Sequence, residues 1–160
     1  MKKVLIAMTI LFTMSSFIFA QDAKSDSKNQ PTKSAKEYIA DLNGNDEYTI
    51  IRAADWLGRE KETDALPGLK KLLKEDNRMK VRLHSAMAMG YIGDKSAVDS
   101  LNERLLIEPE ADVRYTIILS LTRIGISEEK HVDVLKKARD AETDIIIRDY
   151  MDKMVAKYKK

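Results

Sequence analysis

The stretch VRLHSAMAMGYIGD, residues 81–94, decides how the chain folds. Apolar side chains recur at helical spacing along residues 81–90, and they cover more than one stripe of the predicted helix. Gly90-Tyr-Ile-Gly93 then closes the stretch, and glycine readily adopts the left-handed conformation that ends many helices. We therefore predict a helix that is buried on several sides and is ended by its glycines.

The pattern returns along the chain at a fixed period. A shift of 32 residues aligns Gly58 with Gly90, and a second such shift aligns Arg82 with Arg114. After a two-residue insertion, a shift of 34 aligns Arg114 with Arg148. Repetition of this kind is typical of stacked helix pairs. A middle helix of a stack needs several apolar faces because its pair-mate and both neighbouring repeats cover it.

Two lines of sequence resemble the short bacterial HEAT-like repeat: DALPGLKKLLKEDNRMKVRLHSAMAMGYIGDKSAVDSL, residues 64–101, and ADVRYTIILSLTRIG, residues 111–125. Val81-Arg82 and Met89-Gly90 fit the first helix of the family pattern, and Ala65-Leu66-Pro67 fits the second. The resemblance covers about residues 46–158. The helical apolar spacing predicts an all-α fold, and the resemblance implies a short α-solenoid of about three to four helix pairs. The repeat shift places a partial last copy near Thr143, which is predicted to be its N-cap.

The resemblance also implies a role for the arginine that follows the valine of each first helix. In the family this arginine commonly bonds with an aspartate in the stack, so we expect Arg82, Arg114 and Arg148 to be structural. The sequence departs from the pattern at Ile51-Arg52, which is two residues out of register, and at Thr122, where a glycine is expected.

The N-terminal residues have the layout of a secretory signal peptide. Lys2 and Lys3 precede an uncharged, mostly apolar stretch at 4–19, which is shorter than the ~20 residues that a spanning helix needs. We predict a signal peptide at 1–20, cleavage before Gln21, and secretion across the inner membrane to the periplasm with no membrane span afterwards. An uncleaved anchor is the alternative.

Two further boundaries follow from composition. Residues 21–33 contain no apolar side chain larger than alanine, which predicts a flexible linker. Ser34 and Glu37 then fit a capping box, in which the serine and the glutamate satisfy each other's backbone N–H groups at a helix start. The repeat domain is therefore predicted to span residues 34–160.

Composition excludes several classes of function. The chain has no cysteine, which excludes disulfides, thiol catalysis and cysteine-ligated zinc. Without the two lysines of the predicted signal, 26 basic residues balance 26 acidic ones. Nucleic-acid-binding proteins usually carry a clear basic excess. We therefore expect no nucleic-acid partner.

No catalytic or metal-binding pattern is evident. His84 and His131 lie in different repeats, and neither has a second histidine at the spacing of a metal site. Residues 41–46, DLNGND, resemble a calcium loop, but the glycine is misplaced and the segment is interpreted as a turn. These observations predict no catalytic residue, no metal, no cofactor and no enzymatic activity.

The function expected at this point is an exported, non-enzymatic HEAT-like module for protein–protein interaction or scaffolding in the cell envelope. Alternatives are an accessory subunit of a lyase-type enzyme complex, as in some proteins with this repeat, and a chaperone-like envelope adaptor. The second helices are predicted to present one surface to a protein partner of unknown identity. Its candidate residues are Lys70, Lys71, Asn102, Glu103, Lys136 and Lys137. Trp56 and Tyr91 are expected to pack beneath turns.

Overall fold

The computed structural model describes residues 33–125 and 129–157. The predicted signal peptide and all but the last residue of the predicted linker lie outside these ranges. Within them the regular structure is helical and no strand occurs, so the all-α prediction is confirmed. The helices are α1 (Ala35–Asp41), α2 (Glu47–Glu60), α3 (Leu66–Glu75), α4 (Met79–Ile92), α5 (Val98–Leu105), α6 (Ala111–Ile124), α7 (Glu129–Ala141) and α8 (Ile145–Lys157).

Polar caps define the first two helices. The predicted capping box is present: the Ser34 N–H donates to Oε2 of Glu37 at 2.8 Å, and the Glu37 N–H donates to Oγ of Ser34 at 3.4 Å. Asp46 caps α2 by accepting from the Thr49 N–H at 2.7 Å. The calcium-like segment is therefore the turn between α1 and α2, as predicted.

Helices α2 to α8 stack as repeats. The first helices α2, α4, α6 and α8 pack one against the next, and the second helices α3, α5 and α7 form a neighbouring row. The central helix α4 touches α2, α3 and α6, which explains its apolar sequence. Its buried residues lie on several faces: Val81, Arg82, Ser85, Ala86, Ala88, Met89, Gly90 and Ile92.

The glycines have two different roles, which corrects the prediction that they simply end the first helices. Gly93 does end α4, with a left-handed φ of 77°. Gly90 instead lies inside α4, where a methyl group would stand 2.8 Å from Cα of Ser120 on α6. Gly58 meets Ala88 of α4 in the same way, since a methyl group there would stand 2.8 Å from Cα of Ala88. The residue that caps the C-terminal end of α2 is not a glycine but Lys61, with a left-handed φ of 58°. The repeated glycine therefore permits close helix packing.

The last helix departs from the prediction at its start. Asp144, and not Thr143, caps α8: its Oδ1 accepts from the N–H groups of Ile146 and Ile147 at 2.8 and 3.2 Å. The predicted apolar face is buried at Ile147, Met151, Met154 and Val155, while Tyr158 lies outside the described residues. Helix α8 therefore covers α6 on one side.

Candidate binding pocket on the first helices

A cavity opens between α1, α2 and α4. Its volume is about 440 Å³, within the range of small-molecule sites. We call it the aromatic pocket, and it is lined by Tyr38, Arg52, Asp55, Trp56, Arg59, Met87, Ala88 and Tyr91.

Aromatic rings form much of its wall. Tyr38 stacks on Trp56 with ring centroids 4.3 Å apart and an interplanar angle of 19°. Tyr91 is 40% exposed, and the guanidinium of Arg123 lies 4.1 Å from its ring centroid. Trp56 and Tyr91 are thus brought to one pocket, whereas packing beneath separate turns was expected. The sequence did not reveal that α1 would supply a ring to this wall.

The pocket also carries arginines without a carboxylate partner. Arg52 and Arg59 are exposed, and neither has a carboxylate within ion-pair distance among the described residues. The guanidinium of Arg52 lies 5.6 Å from the centroid of the Tyr48 ring. In contrast, a carboxylate pairs with each of Arg78, Arg82, Arg104, Arg114 and Arg139. Uncompensated positive charge therefore collects at the aromatic pocket.

Asp55, which lines the pocket, contacts a histidine of α4. Nδ1 of His84 on α4 lies 2.6 Å from Oδ1 of Asp55 on α2. The sequence indicated no chemical role for His84, and its contact with Asp55 was not predicted. The two are 29 residues apart, whereas the 32-residue shift aligns Asp55 with Met87, so the contact depends on how α2 packs against α4.

Part of the predicted binding surface forms a second groove. Lys70 and Lys71 on α3 face Glu103 on α5 across a space of about 230 Å³. We call this the basic groove, and it is lined by Lys70, Lys71, Lys74, Ser100, Glu103, Arg104 and Ile107.

The other predicted surface residues do not join this groove. Asn102 is only 4% exposed, because His131 on the adjacent α7 covers it, with its amide nitrogen 2.8 Å from Nδ1 of the histidine. The expectation that Asn102 points away from the core is therefore wrong. Lys136 forms an ion pair with Asp133 at 2.8 Å, and Lys137 is exposed on the same helix.

The arginines of the repeat are structural, as the resemblance implied, but their carboxylate partners are glutamates. Arg82 pairs with Glu108, and Arg114 pairs with Glu142, through two hydrogen bonds each. Arg148 instead donates to the backbone oxygen of Glu142. A glutamate reaches the guanidinium because each acid lies in the loop that follows the second helix of the same repeat.

Residues 33–125 and 129–157 hold neither a candidate metal site nor a candidate membrane span. No group of three or more histidine, aspartate or glutamate side chains there is placed to hold a metal ion. None of the helices in residues 33–125 and 129–157 is long and apolar enough to cross a membrane.

The pattern of HEAT repeats matches this chain twice, over residues 36–122 and 80–150. The chain belongs to the HEAT-repeat family. Among solved structures, this HEAT-repeat protein is similar to the complex of CpcE and CpcF of phycocyanin lyase from Nostoc sp. PCC7120. The TM-score is 0.62 with 27% identity, over 73% of this chain and 46% of that one. The expected α-solenoid of HEAT-like repeats is thereby confirmed.

Curated relatives of the HEAT-repeat protein are enzymes. Deoxyhypusine hydroxylase of Saccharomyces cerevisiae is 36% identical over 61% of this chain, and that of Candida albicans is 32% identical over 71%. Deoxyhypusine hydroxylase-B of Oryza sativa subsp. japonica is 31% identical over 54%. The chain spans 31%, 37% and 28% of these relatives, respectively.

These relatives overturn the expectation of a non-enzymatic scaffold. That expectation depended on the lack of a recognisable catalytic motif. A HEAT repeat is defined by its packing positions, and its chemistry depends on side chains that carry no family-wide motif. The absence of a motif therefore was not a sound reason to exclude an enzyme.

Proposed function

We propose that this HEAT-repeat protein takes part in the enzymatic modification of a polypeptide and that its basic groove holds the substrate. The observation that carries the proposal is the identity of 31–36% to three hydroxylases. Hydroxylation is therefore the first reaction to test.

The positions of the histidines and carboxylates limit which part of the reaction the described residues can perform. Non-haem iron oxygenases commonly bind iron with two histidines and one carboxylate on one face. Here His84 contacts Asp55 and His131 contacts Asn102, on different helix pairs. The described residues do not fit such a centre. We therefore assign them to holding the substrate, and we derive no oxidation step from them.

The chemistry of the basic groove favours an acidic segment with an apolar side chain. Lys70, Lys71 and Lys74 supply positive charge along α3. Ile107 at the end of the groove is 70% exposed, and its neighbour Leu106 is 49% exposed. Exposed apolar side chains beside charges are typical of interaction sites. Rim charges of this kind mainly raise the association rate and its dependence on salt.

The reaction is tested by comparing the proteins of cells that carry the gene with those of cells that lack it. We expect at least one polypeptide to lose a mass of one oxygen atom when the gene is deleted, and to regain it on complementation. If no polypeptide changes mass by one oxygen or by any other defined group, the enzymatic proposal is wrong.

The groove is tested on that same polypeptide. Lys70→Glu with Lys71→Glu reverses charge inside the groove, while Lys136→Glu with Lys137→Glu makes the same change outside it. We expect only the first pair to weaken binding and to reduce its salt dependence. Equal effects from both pairs, with circular dichroism unchanged, would remove the groove from the proposal.

A further inference from the structure

We propose that the aromatic pocket binds a planar aromatic ring that bears an anionic group, a carboxylate or a phosphate. The pocket lies on the first helices, whereas the basic groove lies on the second helices. This inference therefore does not depend on the proposed function, and an experiment can disprove either one without affecting the other.

The charge of the pocket favours an anion. Arg52 and Arg59 line it without a carboxylate partner in the described part of the chain, while Asp55 supplies one negative charge. Oδ1 of Asp55 is already engaged by His84 at 2.6 Å, so part of its acceptor capacity is used. Guanidinium groups present paired donors that match carboxylate and phosphate oxygens.

The walls favour a flat ring. Trp56 is held in place by its stack on Tyr38, and Tyr91 is oriented by Arg123 above its ring. Aromatic faces bind planar rings by offset stacking, and rings that are already fixed lose little freedom when a ligand arrives. The flexible side chain of Met87 lies at the same wall and adapts to the ring edge.

The chain itself provides a local probe. It contains one tryptophan, so the indole N–H signal of isotope-labelled, full-length protein in a proton–nitrogen correlation spectrum reports only on Trp56. The ligands are two matched pairs: benzoate with benzamide, and AMP with adenosine. In each pair the ring is kept and the anionic group is removed.

We expect at least one anion to shift the Trp56 signal and to bind about tenfold more tightly than its neutral counterpart, a difference of about 1.4 kcal/mol. Tighter binding of benzoate identifies a carboxylate ligand, and tighter binding of AMP identifies a phosphate. If neither anion binds more tightly than its neutral counterpart, the proposal is overturned.

Variants separate this site from general attraction to a charged surface. Arg52→Gln and Arg59→Gln should each reduce the preference for the anion, while Lys137→Gln, on the second helices and outside the basic groove, should leave it unchanged. Circular dichroism should match in all three variants. An equal loss from Lys137→Gln would mean that the chain attracts anions without a specific site, and would overturn the assignment.

Discussion

Arg82 on α4 and Glu108 after α5 form a buried bidentate ion pair, with Nε to Oε2 at 2.9 Å and Nη2 to Oε1 at 2.8 Å. The same guanidinium donates to the backbone oxygens of Asp76 and Asn77. Arg82 thus links the loop before α4 to the loop after α5. Arg114 repeats the arrangement with Glu142.

Breaking this pair should cost much of the stability of the domain. Glu108→Gln removes the negative charge and leaves the guanidinium of Arg82 buried, and such losses typically cost about 3–5 kcal/mol. Urea denaturation followed by circular dichroism measures the change. As a control, Lys153→Gln removes an exposed pair with Asp149 and should have no measurable effect. Equal midpoints for the two variants would mean that the buried pair is not a major support.

Stability should fall in acid partly through the same glutamates. Burial raises the pKa of Glu108, but hydrogen bonds from Arg82, Arg104 and the Glu110 N–H, together with the charge of Arg104, bring the pKa below its usual value. A hydrogen bond from Arg114 lowers the pKa of Glu142. Since both folded-state pKa values lie below the unfolded value of about 4.3, this stabilisation is present above that pH. It is lost as the pH falls through the folded values.

The double variant Glu108→Gln with Glu142→Gln tests this dependence. It should be less stable than the wild type at neutral pH, and the difference should shrink between about pH 5 and pH 2. Thermal melts across that range provide the comparison. A difference that stays constant with pH would contradict the assignment to these two carboxylates.

Gly90→Ala should destabilise the contact between α4 and α6. The added methyl group would lie 2.8 Å from Cα of Ser120, a backbone atom that cannot move alone. Overpacking of this kind typically costs about 1–3 kcal/mol. Gly44→Ala, in the exposed turn after α1, would place its methyl group 3.2 Å from the carbonyl oxygen of Asp41, a looser contact that should cost less than about 1 kcal/mol. If the two variants unfold at the same urea concentration, the close approach is not required.

The C-terminal helix should be needed for the stability of the last repeat. Met151 is fully buried, and truncation to alanine should cost about 2–5 kcal/mol. Deleting residues 143–160 should expose α6 and cause a marked loss of thermal stability or aggregation. A truncated protein that melts like the full chain would show α8 to be an appendage.

Export and cleavage remain predictions from the N-terminal sequence. Intact-mass measurement of the protein from a cell-envelope fraction should give a chain that starts at Gln21. Detection of Met1 on mature, membrane-bound protein would favour the anchored alternative. Recovery of the whole population outside the envelope fraction, with Met1 attached, would contradict export altogether.

The sequence by itself determined the repeat, the helical fold and the pairing of first with second helices. These properties depend on spacing along the chain, because apolar residues at a helical period must be buried wherever the helix lies. The capping box at Ser34 was also predictable, since its two hydrogen bonds join residues three apart.

Only the tertiary structure decided which side chains of different repeats meet. The apolar spacing of α5 did not reveal that His131 would cover Asn102, or that Tyr38 would stack on Trp56. The same holds for the glutamate partners of Arg82 and Arg114, and for the contact of Asp55 with His84. Periodicity fixes the face of a helix on which a residue lies. Close contacts such as Gly90 with Ser120 set the distance and rotation between two helices. That distance and rotation decide which side chain of the neighbouring helix each residue contacts.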